Sequence, residues 1–496
     1  MSPRLLACVL LAALAAVLAP QAANASSSQL SVFQDDRELF GQTGSDPAAA
    51  MAELRSLGVD MVRANVIYYK VYRTPNDRRR PRGFNPSDPN SGKYNWAPVD
   101  RFVSLARANG ISVLMTLTGP GPVFTSSSPR RCRSAPCTFR PKASEFGAFA
   151  AAAAKRYRGS VDYYSIWNEP NIGSTWLTPR FQRTSAGMVD SAGAMYRKLF
   201  IAGYKAIAKY DGARRNRVLF GETAAIGSPL KMLRAALCLD PRGRPFTGRL
   251  RALQGCSGKV SRLNIGGIAV HPYNQGGYGT PQMRTKTKTS LPLAYMPRLH
   301  RLMAGAARRG RIGGGKGVWV TEHGFQTRPP DPDGVSLEAQ ARYINESDRL
   351  FYGDRRIRSV SQYGLTDEPR RDVFNTALRF TRSRGAREKP SYAAYRVPLV
   401  VTRRSASSVE VYGQARPSRV LRGGPVTRVA VQMQIGGVFT TVAQPLTNRR
   451  GIFRVNLSRP GAARAQWRLV WQNADTGQFF TSRVARAGSR LKYRSG

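Results

Sequence analysis

Acidic side chains are scarce in this sequence. Its 496 residues include 29 Asp and Glu against 78 Lys and Arg, which gives a formal net charge of +49 and a pI near 11.3. The positive electrostatic field of such a chain attracts anionic surfaces. Outside a cell, these are teichoic acids, acidic polysaccharides or phospholipid headgroups. The alternative interpretation is a genome rich in Arg codons and a solvated basic face. The few carboxylates of the chain therefore need individual explanations.

Long apolar runs are absent beyond the first residues. Arg4 is followed by the run LLACVLLAALAAVLA and then by Ala-Asn-Ala at 23–25, a small-residue site of the kind that signal peptidase cuts. We read 1–25 as a signal peptide and Ser26 as the start of the mature protein. No later stretch reaches the roughly 20 apolar residues of a transmembrane helix. The sequence predicts a secreted, extracellular protein without a transmembrane segment, associated with the cell wall if its basic charge binds an anionic wall polymer.

Histidine is rare as well. The only histidines are His271, His300 and His323, and the sequence has no Cys-x-x-Cys pair, so the usual spacing of a zinc site is missing. We also find no nucleic-acid-binding motif, and the predicted export argues against a nucleic-acid partner. We therefore predict no metal, no organic cofactor and no nucleic acid.

Four cysteines follow the leader, an even number that falls into two locally spaced pairs. In an exported chain this pattern favours disulfides over a metal site. The predicted pairs are Cys132 with Cys137 and Cys238 with Cys256.

Short runs rich in Val, Ile and Tyr alternate with helical stretches up to about residue 400. The predicted strands are 30–35, 59–67, 111–117, 161–167, 217–223, 265–271, 317–322 and 358–365. The predicted helices are 46–57, 98–109, 144–157, 184–209, 292–308 and 336–350. Eight βα units favour a (β/α)8 TIM barrel with enlarged loops, an α/β fold. An open doubly wound sheet, the alternative, would normally carry a Gly-rich turn after its first strand, and none is present.

The composition shifts near residue 400. Beyond it, short alternating runs such as TRVAVQMQI and AQWRLVWQN are divided by Gly, Pro and Asn turns, which is typical of a small antiparallel β-sandwich of the immunoglobulin or fibronectin type. We predict a catalytic domain over 26–400 and a β-sandwich domain over 401–496.

Two carboxylates stand where predicted strands of the barrel end. Glu169, in YYSIWNEPN, follows the fourth strand, and Glu322, in VWVTEHG, closes the seventh. Reacting groups of TIM barrels sit at these strand ends, and glycoside hydrolysis needs two carboxylates that face each other. Glu222 of FGET, on the fifth strand, is an alternative to Glu322 as the nucleophile, or a residue that supports it.

The stretches WNEPN at 167–171 and WVTEHG at 319–324 resemble the two signature strands of a large clan of retaining TIM-barrel glycoside hydrolases. Families 5 and 39, which include cellulases and β-glycosidases, are the nearest, and the chain resembles a secreted protein of actinobacterial type. The resemblance implies that Glu169 is the acid/base and Glu322 the nucleophile.

Further matches to the clan are softer, and each adds an expected role. Arg63 in MVRAN would keep the nucleophile ionised, Asn168 would bond the sugar 2-hydroxyl, and Tyr273 of His271-Pro-Tyr would reach the nucleophile. Trp167 precedes Asn168 in the same motif. The eighth strand lacks the clan's tryptophan that floors the sugar site, so the expected substitutes are Tyr363, Phe124 and Trp176, with Asp367 as a further contact to hydroxyls.

The sequence therefore predicts a secreted retaining glycoside hydrolase that acts on a polysaccharide or oligosaccharide by double displacement. One alternative is a transglycosylase, in which a sugar hydroxyl replaces water. The other is a non-catalytic cell-surface protein that binds glycans. The long loops 68–95 and 272–291 are expected to determine which sugar and linkage are recognised and whether cleavage is internal or terminal. The sequence spacing does not define the contacts of these loops.

Overall fold

The computed structural model describes residues 29–211, 217–370, 374–417 and 427–495. The predicted signal peptide lies outside them. Eight parallel strands close into a barrel in which each strand pairs with its neighbours in the sequence, and the first pairs with the eighth. The strands are β1 (Leu30–Gln34), β2 (Met61–Ile67), β3 (Ser112–Thr118), β4 (Tyr163–Ile166), β5 (Val218–Ala224), β6 (Gly267–His271), β7 (Gly317–Val320) and β8 (Ile357–Tyr363). The predicted TIM barrel is confirmed.

Helices pack around the outside of the barrel. They are α1 (Pro47–Ser56), α2 (Ala97–Ala108), α3 (Ala143–Arg156), α4 (Ser191–Tyr210), α5 (Pro229–Ala236), α6 (Met296–Arg308), α7 (Leu337–Tyr352) and α8 (Pro390–Arg396). The predicted helix 184–209 is present as α4 but begins later, at Ser191, because a hairpin of Gln182–Thr184 and Gly187–Val189 occupies the preceding stretch. Asp190 then starts α4 by accepting the Gly193 N–H at 2.8 Å, as an N-cap does.

The barrel interior is layered because side chains alternate along each strand. One apolar layer is formed by Val32, Met61, Leu114, Leu219, Ala269 and Trp319, from six different strands. Two residues further towards the C-terminal ends of their strands, the same alternation places a buried polar layer, formed by Gln34, Arg63, Thr116, His271 and Thr321. The polar layer lies directly beneath the strand ends that carry Glu169 and Glu322.

The last part of the chain forms two antiparallel sheets. Their strands are β9 (Leu399–Arg403), β10 (Ser408–Gln414), β11 (Ala430–Ile435), β12 (Val438–Ala443), β13 (Ile452–Ser458), β14 (Gln466–Gln472), β15 (Phe479–Thr481) and β16 (Ala485–Arg486). The sheet orders are β9-β10-β13 and β12-β11-β14-β15, with β16 also on β14. Both sheets contribute to one core, in which Val401 and Val411 join Trp467 and Leu469. This arrangement is the predicted β-sandwich.

The sandwich packs on α7. Tyr352 of that helix shares an apolar cluster with Val400, Tyr412 and Ile452. Nearby, the Arg349 guanidinium donates to Glu410 at 2.6 Å. Burial raises the pKa of Glu410, but neighbouring arginines outweigh this effect and hold it at about 2. One of the few carboxylates of the sandwich is thus used in its junction with the barrel.

We expect a chain that ends near residue 400 to aggregate. The truncation removes Tyr412 and Ile452, so it exposes Tyr352, and it takes away Arg416, which pairs with the buried Asp348 at 3.2 Å. Size-exclusion chromatography of the truncated and full-length chains measures the loss of monomer. A monomeric, active truncated protein would contradict this packing role.

The two predicted disulfides, Cys132–Cys137 and Cys238–Cys256, are both present. Within the part of the chain that the structure describes, no helix has the length and apolar character required to cross a bilayer.

Candidate active site

Glu169 and Glu322 come together at the mouth of the barrel. Glu169 lies three residues beyond the end of β4 and Glu322 two residues beyond the end of β7. A carboxylate oxygen of one lies within 4.8 Å of a carboxylate oxygen of the other. Their side chains are 20% and 10% exposed, so both reach solvent at the opening.

His271, the last residue of β6, lies between the two carboxylates. Its Nδ1 is 2.9 Å from Oε1 of Glu169 and 3.5 Å from Oε2 of Glu322. Its Nε2 is 2.8 Å from Oε2 of Glu222, which is fully buried below. One imidazole ring therefore connects three carboxylates.

Arg63 of β2 supports the site from the opposite side of the barrel. Its Nη1 donates to Oε1 of Glu322 at 2.6 Å and also to Gln34. Its Nη2 donates to Oδ1 of Asn168 at 2.7 Å and to Oε2 of Glu222 at 3.0 Å. A single buried guanidinium thus fixes both Glu322 and the residue that precedes Glu169, in the forked geometry that arginine provides.

Glu222 reaches the barrel interior through a β-bulge. The register between β5 and β6 shifts between Gly221 and Thr223, and Glu222 is the extra residue, with φ of 46°. Bulges of this kind redirect a side chain, and here the carboxylate turns into the polar layer. Thr321 Oγ1 also donates to it at 2.8 Å. Glu222 has no exposed surface and is therefore inaccessible to a substrate. This burial argues against Glu222 as the alternative nucleophile.

The backbone is strained next to the site. Trp167, Glu169 and Glu222 adopt left-handed conformations with φ of 66°, 41° and 46°. Such conformations cost of order 1 to 3 kcal/mol each for residues other than glycine and concentrate at functional sites. The Glu169 N–H donates to the Glu222 carbonyl at 2.9 Å and locks the two strained turns together.

The buried charges of the site stabilise one another. Burial raises the pKa of Glu222, but Arg63 and His271 outweigh it and bring the value to about 2. Burial lowers the pKa of His271, but Glu322, Glu169 and Glu222 raise it to about 9. At neutral pH His271 is therefore a cation, which donates one proton to Glu169 and the other to Glu222.

The other predicted site residues lie at different depths. Asn168 is buried and held by Arg63, and Trp167 packs in the core with its indole N–H donating to the Trp176 carbonyl at 3.2 Å. Burial and the charge of Glu322 raise the pKa values of both Tyr273 and Tyr363.

Asp367 is buried and lies outside this network. Its carboxylate pairs with Lys389 and accepts the Ala377 N–H at 3.0 Å, and neither charged side chain is exposed.

The Tyr273 hydroxyl is also buried, and it makes no hydrogen bond to any residue in the described ranges.

An exposed aromatic ring stands next to the site where the sequence pattern gave no signal. Phe374, in the loop after β8, is 44% exposed, and its ring centre lies 5.1 Å from that of Tyr273. Of the two other aromatic candidates, Phe124 is buried against Tyr72, and Trp176 is half-buried. Phe374 is thus the most exposed of these aromatic rings, and it lies beside Tyr273.

The donor set formed by Glu169, His271 and Glu322 also has the spread of a metal site, with one atom from each within 4.8 Å of the others. With the raised pKa of His271, however, its Nδ1 carries a proton that faces Glu169, and a cationic imidazole has no lone pair for a metal. The arrangement fits a shared proton better than a bound ion.

No protein-family model matches the sequence, and no curated protein sequence matches it either. Solved structures resemble its fold at low identity. The GH39 enzyme from Xanthomonas axonopodis pv. citri is 14% identical with a TM-score of 0.49, over 87% of this chain and 92% of that one. A monomeric beta-xylosidase from Caulobacter crescentus CB15 is 15% identical with a TM-score of 0.47, over 88% and 95%. A GH5-4 broad specificity endoglucanase from Clostridium acetobutylicum is 11% identical with a TM-score of 0.44, over 75% and 98%. At these identities the activity of the chain has to be inferred from its own site.

Proposed function

We propose that the protein is a retaining glycoside hydrolase. The observation that carries this proposal is the separation of Glu169 and Glu322, whose nearest oxygens lie within 4.8 Å. Retaining enzymes hold their carboxyl groups about 5 to 5.5 Å apart, whereas inverting enzymes leave about 6.5 to 9.5 Å for a water molecule. The observed separation leaves no room for that water and favours direct attack by a carboxylate.

Glu322 is the nucleophile in this proposal. Its ion pair with Arg63 stabilises the negative charge needed for attack on the anomeric carbon. The C–O bond to the leaving group breaks as the bond from Glu322 to the sugar forms. Glu169 protonates the departing oxygen, and it later removes a proton from the water that releases the sugar from Glu322.

The hydrogen bond from His271 to Glu169 supplies the proton for the first step. Glu169 takes the Nδ1 proton of His271 across 2.9 Å and passes it to the leaving oxygen, so that its carboxylate carries no proton when water attacks. His271 is then neutral, and Glu169 returns the proton to it after water has been deprotonated. The cycle conserves protons and holds them inside the buried network until a substrate is bound.

Transglycosylation uses the same intermediate and differs only in the acceptor. Analysis of products by mass spectrometry at high concentrations of a sugar acceptor distinguishes the two reactions.

The non-catalytic alternative is disfavoured by the strained backbone at Glu169 and Glu222, since pure binding gives no reason to maintain two carboxylate residues with strained backbones.

Glu169→Ala is expected to lower kcat/KM for a natural glycan by about 10²- to 10⁴-fold, the usual contribution of general acid–base catalysis. A dinitrophenyl glycoside needs no protonation, so its first step should change little and the glycosyl-enzyme should accumulate as a burst of dinitrophenol. Azide should then restore turnover and give a glycosyl azide with the anomeric configuration of the substrate.

The measurements are stopped-flow absorbance for the burst and NMR for the configuration of the azide. The substrates come from a screen of aryl glycosides and of plant and bacterial cell-wall glycans. An inverted product from the unmodified enzyme, or equal losses for both kinds of substrate in Glu169→Ala, would contradict the proposed roles.

We propose that this activity is located outside the cell. The support comes from the predicted leader, from the two disulfides that suit an oxidising compartment, and from the net charge of +49. Such a charge would keep the enzyme near an anionic wall polymer.

A further inference from the structure

A cavity lined mainly by basic residues lies outside the proposed active site. It has a volume of about 960 Å³ and lies between loop 282–288, which follows β6, and the C-terminal residues 490–495; we refer to it as the cationic cleft. Its other walls come from the beginning of α5 and of α6. These helices follow β5 and β6, so the cleft belongs to the same end of the barrel as His271 and Glu169.

The lining of the cationic cleft is far more basic than the chain as a whole. Nine of its fifteen lining residues are Arg or Lys, against 78 of 496 in the sequence. No Asp or Glu lines it among the residues that the structure describes. Loop 282–288 and the C-terminal residues 490–495 contribute three cations each, and most of these side chains are exposed. Like charges at this density repel one another, and an anionic ligand would relieve this repulsion.

The two walls of the cationic cleft are held in place by hydrogen bonds. Arg494 donates from its side chain to the Gln282 carbonyl at 2.7 and 2.9 Å and from its backbone to the Ala294 carbonyl at 2.7 Å. Gln282 in turn donates to the Lys492 carbonyl at 2.7 Å. The C-terminal residues are therefore fixed against the loop by backbone and side-chain hydrogen bonds.

Arg298 braces the loop from beneath. This buried side chain donates to the carbonyls of Thr287 at 2.9 Å and Ser290 at 3.2 Å, and it stacks over the Tyr295 ring at 3.9 Å. Tyr295 also accepts the Thr285 N–H at 3.2 Å. The braced segment belongs to the loop that begins directly after His271, at the end of the barrel where Glu169 also lies.

We infer that the cationic cleft binds the negatively charged groups of the glycan whose bond is cleaved between Glu169 and Glu322. The substrate is then a polyanionic glycan, with either uronic acid carboxylates or phosphodiesters. This inference rests on the proposed glycosidase activity. Guanidinium and ammonium groups bind both kinds of anion, and the two sources differ in charge spacing.

The test is a charge reversal of the exposed loop, Arg284→Glu, Lys286→Glu and Lys288→Glu together. The matched control reverses three exposed charges on the sandwich, Arg403→Glu, Arg459→Glu and Arg464→Glu, and so makes the same change in net charge. Both triples are made in the full-length chain with Glu169→Gln, so that binding is measured without turnover. Equal melting temperatures establish that the triples are folded.

The probes are an oligogalacturonate, a poly(glycerol phosphate) oligomer, a neutral cello-oligosaccharide and a duplex DNA, titrated by calorimetry at two salt concentrations. We expect the loop triple to weaken binding of at least one anionic glycan by roughly tenfold or more and to reduce its salt dependence, whereas the sandwich triple changes it by less than about threefold. Whichever glycan shows the larger difference identifies the anion.

Equal weakening by both triples would overturn the inference, because the net field would then account for binding. Tighter binding of the DNA than of either glycan through the loop charges would overturn it as well. A third outcome is that neither triple binds anionic glycans, while both triples with Glu169 intact hydrolyse neutral glycans at the unmodified rate. That result would overturn the inference about the cationic cleft but support the proposed glycosidase activity. Loop-dependent binding of a glycan that is never cleaved would overturn the link to catalysis.

Discussion

Glu322→Gln is expected to lower kcat by about 10⁵-fold for natural glycans and activated aryl glycosides alike, a loss of about 7 kcal/mol in transition-state stabilisation. An amide does not form the glycosyl ester, so a better leaving group gives no recovery. This behaviour contrasts with that of Glu169→Ala, whose deficit depends on the leaving group. Steady-state kinetics on a glycan and on a dinitrophenyl glycoside measures both dependences.

The fold should survive the substitution at Glu322. Gln offers an Oε1 acceptor to the Arg63 Nη1, which now donates to Glu322 at 2.6 Å. Glu145→Gln is the matched control, since Glu145 is also buried and paired with an arginine, Arg80, but lies on α3 away from the site. The control should retain activity within about twofold. Turnover by Glu322→Gln at the unmodified rate would refute the assignment of the nucleophile.

The barrel and the two carboxylates at its mouth could be predicted because they depend on local patterns. Strand alternation gives the layers, and both Glu169 and Glu322 follow strands that the apolar runs mark, so their meeting at one end of a closed barrel follows from the fold alone. The sandwich was predictable for the same reason, since its strands alternate with turn residues between them.

The remaining features depend on contacts between distant residues. Glu222 is buried because of a β-bulge between Gly221 and Thr223. The sequence pattern of a strand does not indicate such a one-residue shift in register. Phe374 lies in a loop, and the spacing of residues in the sequence does not determine the path of that loop. The cationic cleft brings Gln282 and Arg494 into contact although more than 200 positions separate them, as the hydrogen bond of sequence separation 212 shows.

Glu222→Gln is expected to destabilise the protein by about 3 to 5 kcal/mol, the usual cost of removing one partner of a buried ion pair. The Glu222 carboxylate contacts Arg63 at 3.0 Å and His271 at 2.8 Å, and an amide leaves the positive charges of both without that partner. Urea unfolding at several pH values measures the loss. Thr321→Val is the matched control, because it removes one hydrogen bond to Glu222 and keeps the charge, at a cost of about 1 to 3 kcal/mol.

The pH dependence distinguishes the charge of Glu222 from its packing. Its pKa is about 2 in the folded protein against an ordinary value of 4.5, so its stabilising effect is complete above pH 4.5 and is lost as the pH falls towards 2. The difference in unfolding free energy between Glu222→Gln and the unmodified protein should shrink over the same range. A difference that is constant with pH would point to packing alone.

The same substitution should shift the pH profile of activity. In the unmodified enzyme His271 loses its proton as the pH rises through about 9, and the supply of a proton to Glu169 is lost with it. Because the Glu222 carboxylate helps to raise the His271 pKa, Glu222→Gln should move the alkaline limb of kcat/KM towards neutrality, whereas Thr321→Val should leave it in place. An alkaline limb that does not move in Glu222→Gln would separate His271 from the proton cycle and leave Glu222 with a structural role only.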